Sequence, residues 1–228
     1  MYTILNYSAA ALVGMNRFVG NLYTKMWGVF GITWFDHRFD YLRGYDNWYW
    51  CERGILGNRV IKPGDTVLDL CCGDGIYSGL FYSTIAGAVD AIDRDGRAIS
   101  CAKRRYSKPN IGFLIADAVN EPFPRADYDV ACLFVAIEHF SVEAGTHLLQ
   151  KIAISLSSRD GILIGSTPIL PHRGGHNPEH DNEFLSVEQL GLFLKPHFSD
   201  VDLWCSRWPT RTECYFQCKH PIVLSEKK

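Results

Sequence analysis

The chain lacks four things: an apolar run long enough to cross a bilayer, a surplus of charge of either sign, a zinc-ligand spacing and an internal repeat. Each absence removes a class of protein. A membrane-spanning helix needs roughly 20 apolar residues in succession, and the most apolar stretch, residues 2–35, is broken by Asn16, Arg17, Asn21 and Lys25. A secretory signal carries its basic residues ahead of the apolar run, whereas Arg17 comes after it. The stretch therefore reads as an amphipathic helical extension packed on the domain; the alternatives are a membrane-surface contact or the contact of a homodimer. Lys and Arg number 23 against 25 Asp and Glu, a net charge of −2. No general positive field recruits nucleic acid or an anionic membrane, and the basic triplet Lys103–Arg105 reads as a solvated helix face.

Eight cysteines without a secretory signal indicate reduced thiols in a cytoplasmic protein rather than a disulfide framework. Cys214, Phe216 and Cys218 alternate with Tyr215 and Gln217, so these cysteines, despite nearby His220, read as small buried strand residues. Cys71 and Cys72 are neighbours at a strand end and point opposite ways, so they do not share one ion. No metal site is expected.

What the chain does have is a rhythm. A hydrophobic fraction of 47% over 228 residues suffices for one α/β domain with elaborations. Helical stretches occupy the N-terminal part, the last of them ("YDNWYWCERGILGNRVI") closed by "KPGD" at Pro63 and Gly64. Then short apolar runs ("TVLDLC", "AVDAID", "IGFLIA", "YDVACLFVA", "DGILIGS") alternate with helical segments starting at Ile76, Gly96 and Val142. Such alternation predicts a mostly parallel sheet covered on both faces. The last two runs, "VDLWCSRW" and "TRTECYFQC", have only a short segment containing Pro209 between them, so they are expected to pair antiparallel at the sheet edge.

In open α/β sheets ligands sit at the carboxyl ends of the strands, where the strand order reverses. "VLDLCCGDG" ends a strand there, and Gly73 and Gly75 allow close backbone approach. The helix starting at Ile76 offers its free amides to a carboxylate or a phosphate. The second run ends in Asp93, eighteen positions beyond Gly75, near the spacing at which a carboxylate takes both ribose hydroxyls of an adenosine. Asp69, Asp93 and Asp117 end three successive strands, and three carboxylates suit a donor-rich, cationic ligand better than a pyrophosphate. A nicotinamide site usually shows G-x-G-x-x-G, and here the third glycine is out of register.

The series "VLDLCCGDG", "AVDAIDRD", "ADA" and "YDVACLFVAIEHF" resembles, in order and spacing, the signature motifs of the class I S-adenosylmethionine-dependent methyltransferases, over roughly Ile61 to Val201. That resemblance implies a Rossmann-like, seven-stranded, mostly parallel sheet with an antiparallel C-terminal hairpin. It also implies a helical extension or lid over residues 1–60 and a cofactor-binding domain over 61–228. It places Asp69 and Gly73 beside the methionine part of S-adenosylmethionine, Asp93 on the ribose, and Asp117 with Ala118 around the adenine. Cys71, Gly75, Arg94 and Phe134 complete the implied cofactor site. Cys71 stands where the family commonly has glycine.

Methyl transfer needs an in-line acceptor and, for a hydroxyl, a general base. "FVAIEHF" puts Glu138 and His139 just beyond the fourth strand, and an imidazole titrates near neutrality. "STPILPHRGGHNPEHDNEFLS" carries His172, Arg173, His176, Glu179, His180, Asp181 and Glu183 on a loop too long for a simple connection. His180, Glu183 and Phe184 resemble a pattern in small-molecule members of the family. Glu138, His139 and His180 are thus the expected catalytic residues, acting on a hydroxyl, less readily an amine, of a sugar or secondary metabolite. "IEHF" and "HDNEF" also resemble small-RNA 2′-O-methyltransferases that use a metal ion, with Glu138, His139 and His176 or His180 as ligands. Val135 replaces their first glutamate, removing a hard oxygen ligand. A non-catalytic cofactor-binding scaffold is the remaining alternative. Tyr45, Trp48 and Tyr49 read as a lid over the site or as anchors for the N-terminal helices.

Overall fold

The computed structural model describes residues 2–30, 37, 48–156, 160–170, 180–209 and 211–223. Helices α1 (Tyr2–Phe30) and α2 (Tyr49–Val60) precede β1 (Thr66–Leu70), α3 (Ile76–Leu80), β2 (Ala88–Asp93), α4 (Gly96–Tyr106), β3 (Ile111–Ile115) and β4 (Val130–Phe134). Then come α5 (Val142–Ser155), β5 (Ile162–Ile169), α6 (Val187–Leu194), β6 (Phe198–Trp208) and β7 (Arg211–Pro221). The seven strands form one sheet in the order β3-β2-β1-β4-β5-β7-β6. Pairings from β3 across to β5 are parallel; β5 with β7 and β7 with β6 are antiparallel.

The central strands are mostly apolar because both faces are covered, with Asp69, Ser166 and Thr167 buried toward their carboxyl ends. Successive residues alternate between two cores: Leu68, Leu133, Leu163 and Phe216 pack with Leu148, Ile152 and Leu190 of α5 and α6. Val67, Cys132, Ile164 and Tyr215 pack with Trp50, Ile76, Tyr77 and Ile99 of α2, α3 and α4. Helix starts follow side-chain capping: Asp95, Ser141 and Ser186 each accept from a backbone amide in the first turn.

The antiparallel hairpin closes the sheet edge as expected; within it β7 pairs with β5 over seven residues, Leu163 to Ile169, and leaves β6 outermost. An apolar strand buried on both faces, as Cys214 through Phe216 are, belongs inside the sheet, while the polar alternation of β6 tolerates an edge. The N-terminal helix also forms, and among its described side chains Ile4, Phe18, Leu22 and Val29 are exposed.

Candidate active site

The sheet order reverses between β1 and β4, so the strand ends around that point form the expected ligand crevice. After β1 the chain turns sharply, with left-handed backbone at Cys71 (φ 57°), Gly73 (φ 55°) and Gly75 (φ 76°). Gly75 has a second reason to be glycine: a β-carbon there would lie 2.7 Å from both Ala102 Cβ and the Phe113 ring. At Gly73, by contrast, a β-carbon would meet nothing within 4 Å, so the loop borders open space. Cys71 holds the glycine-like conformation with a side chain, a strained state for an L-residue.

The loop is pinned from below and beside. Asp93 accepts from Gly73 N–H at 2.9 Å and from Asp95 N–H at 2.8 Å, tying the β2 end to the β1 loop; burial raises its pKa. Asp69 is buried, and Ser78 Oγ donates to it at 2.5 Å. Burial pushes its carboxyl up to about 7 against the hydrogen bond from Ser78. Asp117 closes a turn by accepting from the Val119 and Asn120 amides and from Asn120 Nδ2, bonds that hold it below the usual carboxylate range, the Asn120 side chain first. Lys151 donates to the carbonyls of Ala118 and Glu121. Arg94 is exposed, and Phe134 is buried with its ring 5.9 Å from that of Tyr77.

One anchor was not legible in the sequence. Asp74, fully buried, accepts from His37 N–H at 3.0 Å, pairs with His37 Nδ1 at 2.9 Å and with Arg105 at 3.1 Å. The His37 ring packs edge-on against Tyr77 at 5.6 Å. A residue of the N-terminal part thus rests on the glycine loop. The middle residue of "GDG" reads as a turn former, and nothing near His37 signals a partner 37 positions away.

Beyond β4 the chain turns at Val135, whose left-handed φ of 51° is exceptional for a β-branched residue. Its amide donates to Ser166 O at 2.8 Å, and a one-turn 3-10 helix, Ile137–His139, follows. Glu138 is 1% exposed; Oε2 accepts from Thr167 at 3.0 Å, while Oε1 is buried without a hydrogen-bond partner. Burial raises its pKa. The segment after the long loop returns beside β5: Asn182 N–H donates to Glu138 O, and Leu170 N–H to Phe184 O, at 3.0 Å each. That return brings His180 to His139, ring centroids 4.8 Å apart and nearly perpendicular. One ligand atom from each of Glu138, His139 and His180 falls within 4.8 Å of the others. Two imidazoles and a carboxylate are a donor set suited to zinc, iron(II) or manganese. Glu183 lies 3.8 Å from His180 Nδ1. His172, Arg173, His176, Glu179 and Tyr45 lie outside the described residues.

Behind this pair a buried ion network joins α2 to the hairpin. Glu213 of β7 receives Arg53 at 2.9 Å, Ser166 at 2.5 Å and Arg211 at 2.7 Å. Burial alone would raise the Glu213 carboxyl, but the two guanidiniums hold it below its usual range. Tyr49 lies against Arg53 and Arg211, with Trp208 edge-on; it anchors α2 to the hairpin, while Trp48 is exposed. Neighbouring Glu52 accepts from Tyr215, Ser206 and Trp208.

A doubly wound sheet with a glycine loop at the switch point, carboxylates near the ends of β1 and β2 and another just beyond β3 defines a Rossmann-like α/β fold, with a histidine pair at the same sheet edge. Residues 67–159 match the family model described as "Methyltransferase domain". The 2-phytyl-1,4-naphtoquinone methyltransferase of Nostoc punctiforme is 30% identical over 187 residues, 78% of this chain and 80% of that one. The mRNA cap guanine-N(7) methyltransferase of Caenorhabditis elegans is 28% identical over 72% of this chain and 50% of its own. The N-methyltransferase NodS of Bradyrhizobium japonicum, solved with S-adenosyl-L-homocysteine, superposes with a TM-score of 0.62 at 14% identity, covering 78% of this chain and 93% of that one. Other curated relatives are matched over less than half of their own length, 45% for a second Nostoc methyltransferase. The chain belongs to the class I S-adenosylmethionine-dependent methyltransferase family.

Proposed function

We propose that the chain transfers the methyl group of S-adenosylmethionine to a hydroxyl, less readily an amine, of a small molecule such as a sugar or secondary metabolite. The observation that carries this reading is the perpendicular pair of His139 and His180 beside buried Glu138, at the end of the strand next to the glycine loop. When bound, the cofactor supplies an electrophilic methyl group on a sulfonium. The open space over Gly73 and the acidic strand ends fit such a ligand: we assign Asp93 to the ribose, Asp117 and Ala118 to the adenine, and Asp69 and Gly73 to the methionine part. Cys71, Gly75, Arg94 and Phe134 border these groups. Of the N-terminal extension, residues 1–60, the part carrying His37 caps the domain of residues 61–228, for which the contact of His37 with Asp74 is the support.

In this reading His139, the exposed member of the trio, accepts the proton of the acceptor hydroxyl. His180 crosses its ring and holds its orientation. Glu138 lies below, one oxygen fixed by Thr167. The test is turnover of S-adenosylmethionine against a panel of sugars, phenols and a naphthoquinone, the last because the Nostoc punctiforme relative is named for one. His139→Ala is expected to lower kcat about a hundred- to ten-thousandfold with unchanged affinity for S-adenosylhomocysteine. Cofactor binding without turnover on any acceptor, and no effect of His139→Ala, would instead mark a binding scaffold.

The same three side chains favour a second reading, metal-assisted methylation of RNA, because their ligand atoms already converge and Glu138 Oε1 has no hydrogen-bond partner. The net charge of −2 argues for the small molecule, since RNA binding ordinarily needs a basic surface. Chelation followed by manganese or magnesium add-back separates the two: activity on small hydroxyl acceptors that persists in chelator rejects the metal reading.

A further inference from the structure

Helix α1 takes no part in the site described above, and its surface has a distinct chemistry. Ile4, Met15, Phe18, Leu22, Met26 and Val29 recur at helical spacing and share one face. That face is open to solvent: Ile4 is 71%, Phe18 69% and Val29 79% exposed. Thr3, Asn6, Arg17, Asn21 and Lys25 flank that face along one edge, and residues 2–30 contain no Asp or Glu. A continuous apolar stripe of this length, unlike scattered surface leucines, marks a surface meant to be covered.

The charges decide between the occupants. A second copy meeting this face as a coiled coil would ordinarily pair acidic with basic residues along the seam. Two copies of α1 would bring only cations together. An anionic bilayer complements both halves of the helix, taking the apolar face into the acyl boundary and the cations at the headgroups. No helix among the described residues is long and apolar enough to cross a membrane, which leaves α1 lying on the surface rather than through it. At 29 residues it would extend about 43 Å along that surface. The chain's net charge of −2 supplies no general attraction, so docking of this kind is local to α1. We propose that α1 is a membrane-surface helix that docks this protein on anionic phospholipid through Ile4, Met15, Phe18, Leu22, Met26 and Val29, with Arg17 and Lys25 at the headgroups.

The test is co-sedimentation of the full chain with phosphatidylcholine vesicles, with and without phosphatidylglycerol, alongside sedimentation equilibrium without lipid. Binding is expected to the mixed vesicles, weaker to phosphatidylcholine alone. Phe18→Glu/Leu22→Glu should lower it at least about tenfold, and Arg17→Gln/Lys25→Gln about thirtyfold. Both pairs are exposed, and unchanged thermal unfolding checks that the fold is retained. Failure of the wild-type chain to bind mixed vesicles overturns the proposal. So does binding that ignores both double variants, because another surface would then be responsible. A lipid-free dimer that Phe18→Glu/Leu22→Glu dissociates, with no vesicle binding, assigns the face to a second copy instead.

Discussion

At the scale of single residues, the buried carboxylates carry the sharpest consequences. Burial pushes folded Asp69 up to about 7, whereas an unfolded aspartate titrates near 3.9. Between those values the folded chain holds a proton that the unfolded chain has released, so the Asp69 contribution to stability falls as pH rises from about 4 to 7. Asp69→Asn should flatten that fall, and urea unfolding of both proteins across this window checks it. Glu213 works in the opposite sense, as the shared counter-ion of Arg53 and Arg211. Glu213→Gln leaves two largely buried guanidiniums without their anion and should cost about 3–5 kcal/mol, read from denaturant midpoints. Neither role was visible beforehand: a lone Glu in "TRTECYFQC" looks like a strand residue facing water until α2 is laid against it.

The elements show how local rules and tertiary context share the work. The glycine loop between β1 and α3 was legible because few residues tolerate its backbone, and the spacing to Asp93 marked where β2 would end beside it. Gly75→Ala tests the loop as a unit. It introduces a β-carbon 2.7 Å from Ala102 and Phe113 at a φ of 76°, and overpacking of this kind destabilises by about 1–3 kcal/mol before any loss of cofactor affinity. Thermal unfolding and S-adenosylhomocysteine titration of the variant separate the two effects. Ser141 caps α5 by accepting from Ala144 N–H; Ser141→Ala should cost about 1 kcal/mol, a benchmark for a change remote from the loop. The order of β7 and β6 was not legible, because a hairpin pairs with itself equally well at either register of the sheet. Burial of β7 on both faces decides it.

For the whole molecule, the fold makes cofactor binding a stability statement. S-adenosylhomocysteine at a hundred times its dissociation constant should add about 2.7 kcal/mol to the folded state, a rise in Tm of roughly 5–10 °C for a chain of this size. NAD at the same concentration should add nothing, and differential scanning calorimetry distinguishes them. The same molecule carries an N-terminal helix whose apolar face its own domain leaves uncovered, so measurements without lipid address the catalytic domain and not the surface on which α1 is proposed to dock.

The sequence by itself determined the alternation of strands and helices, the glycine turn, the acidic strand ends and the Glu138–His139 pair. These depend on backbone dihedrals and side-chain periodicity, which act over a few residues. Only the tertiary structure decided that His180 returns to His139, that Asp74 receives His37 and Arg105, that Glu213 gathers two arginines, and that α1 stays uncovered. Apart from the neighbouring Arg211, those contacts join residues 31 to 160 positions apart or turn on the absence of a covering surface. A burial that depends on which distant segment arrives cannot be read from the residues on either side of it.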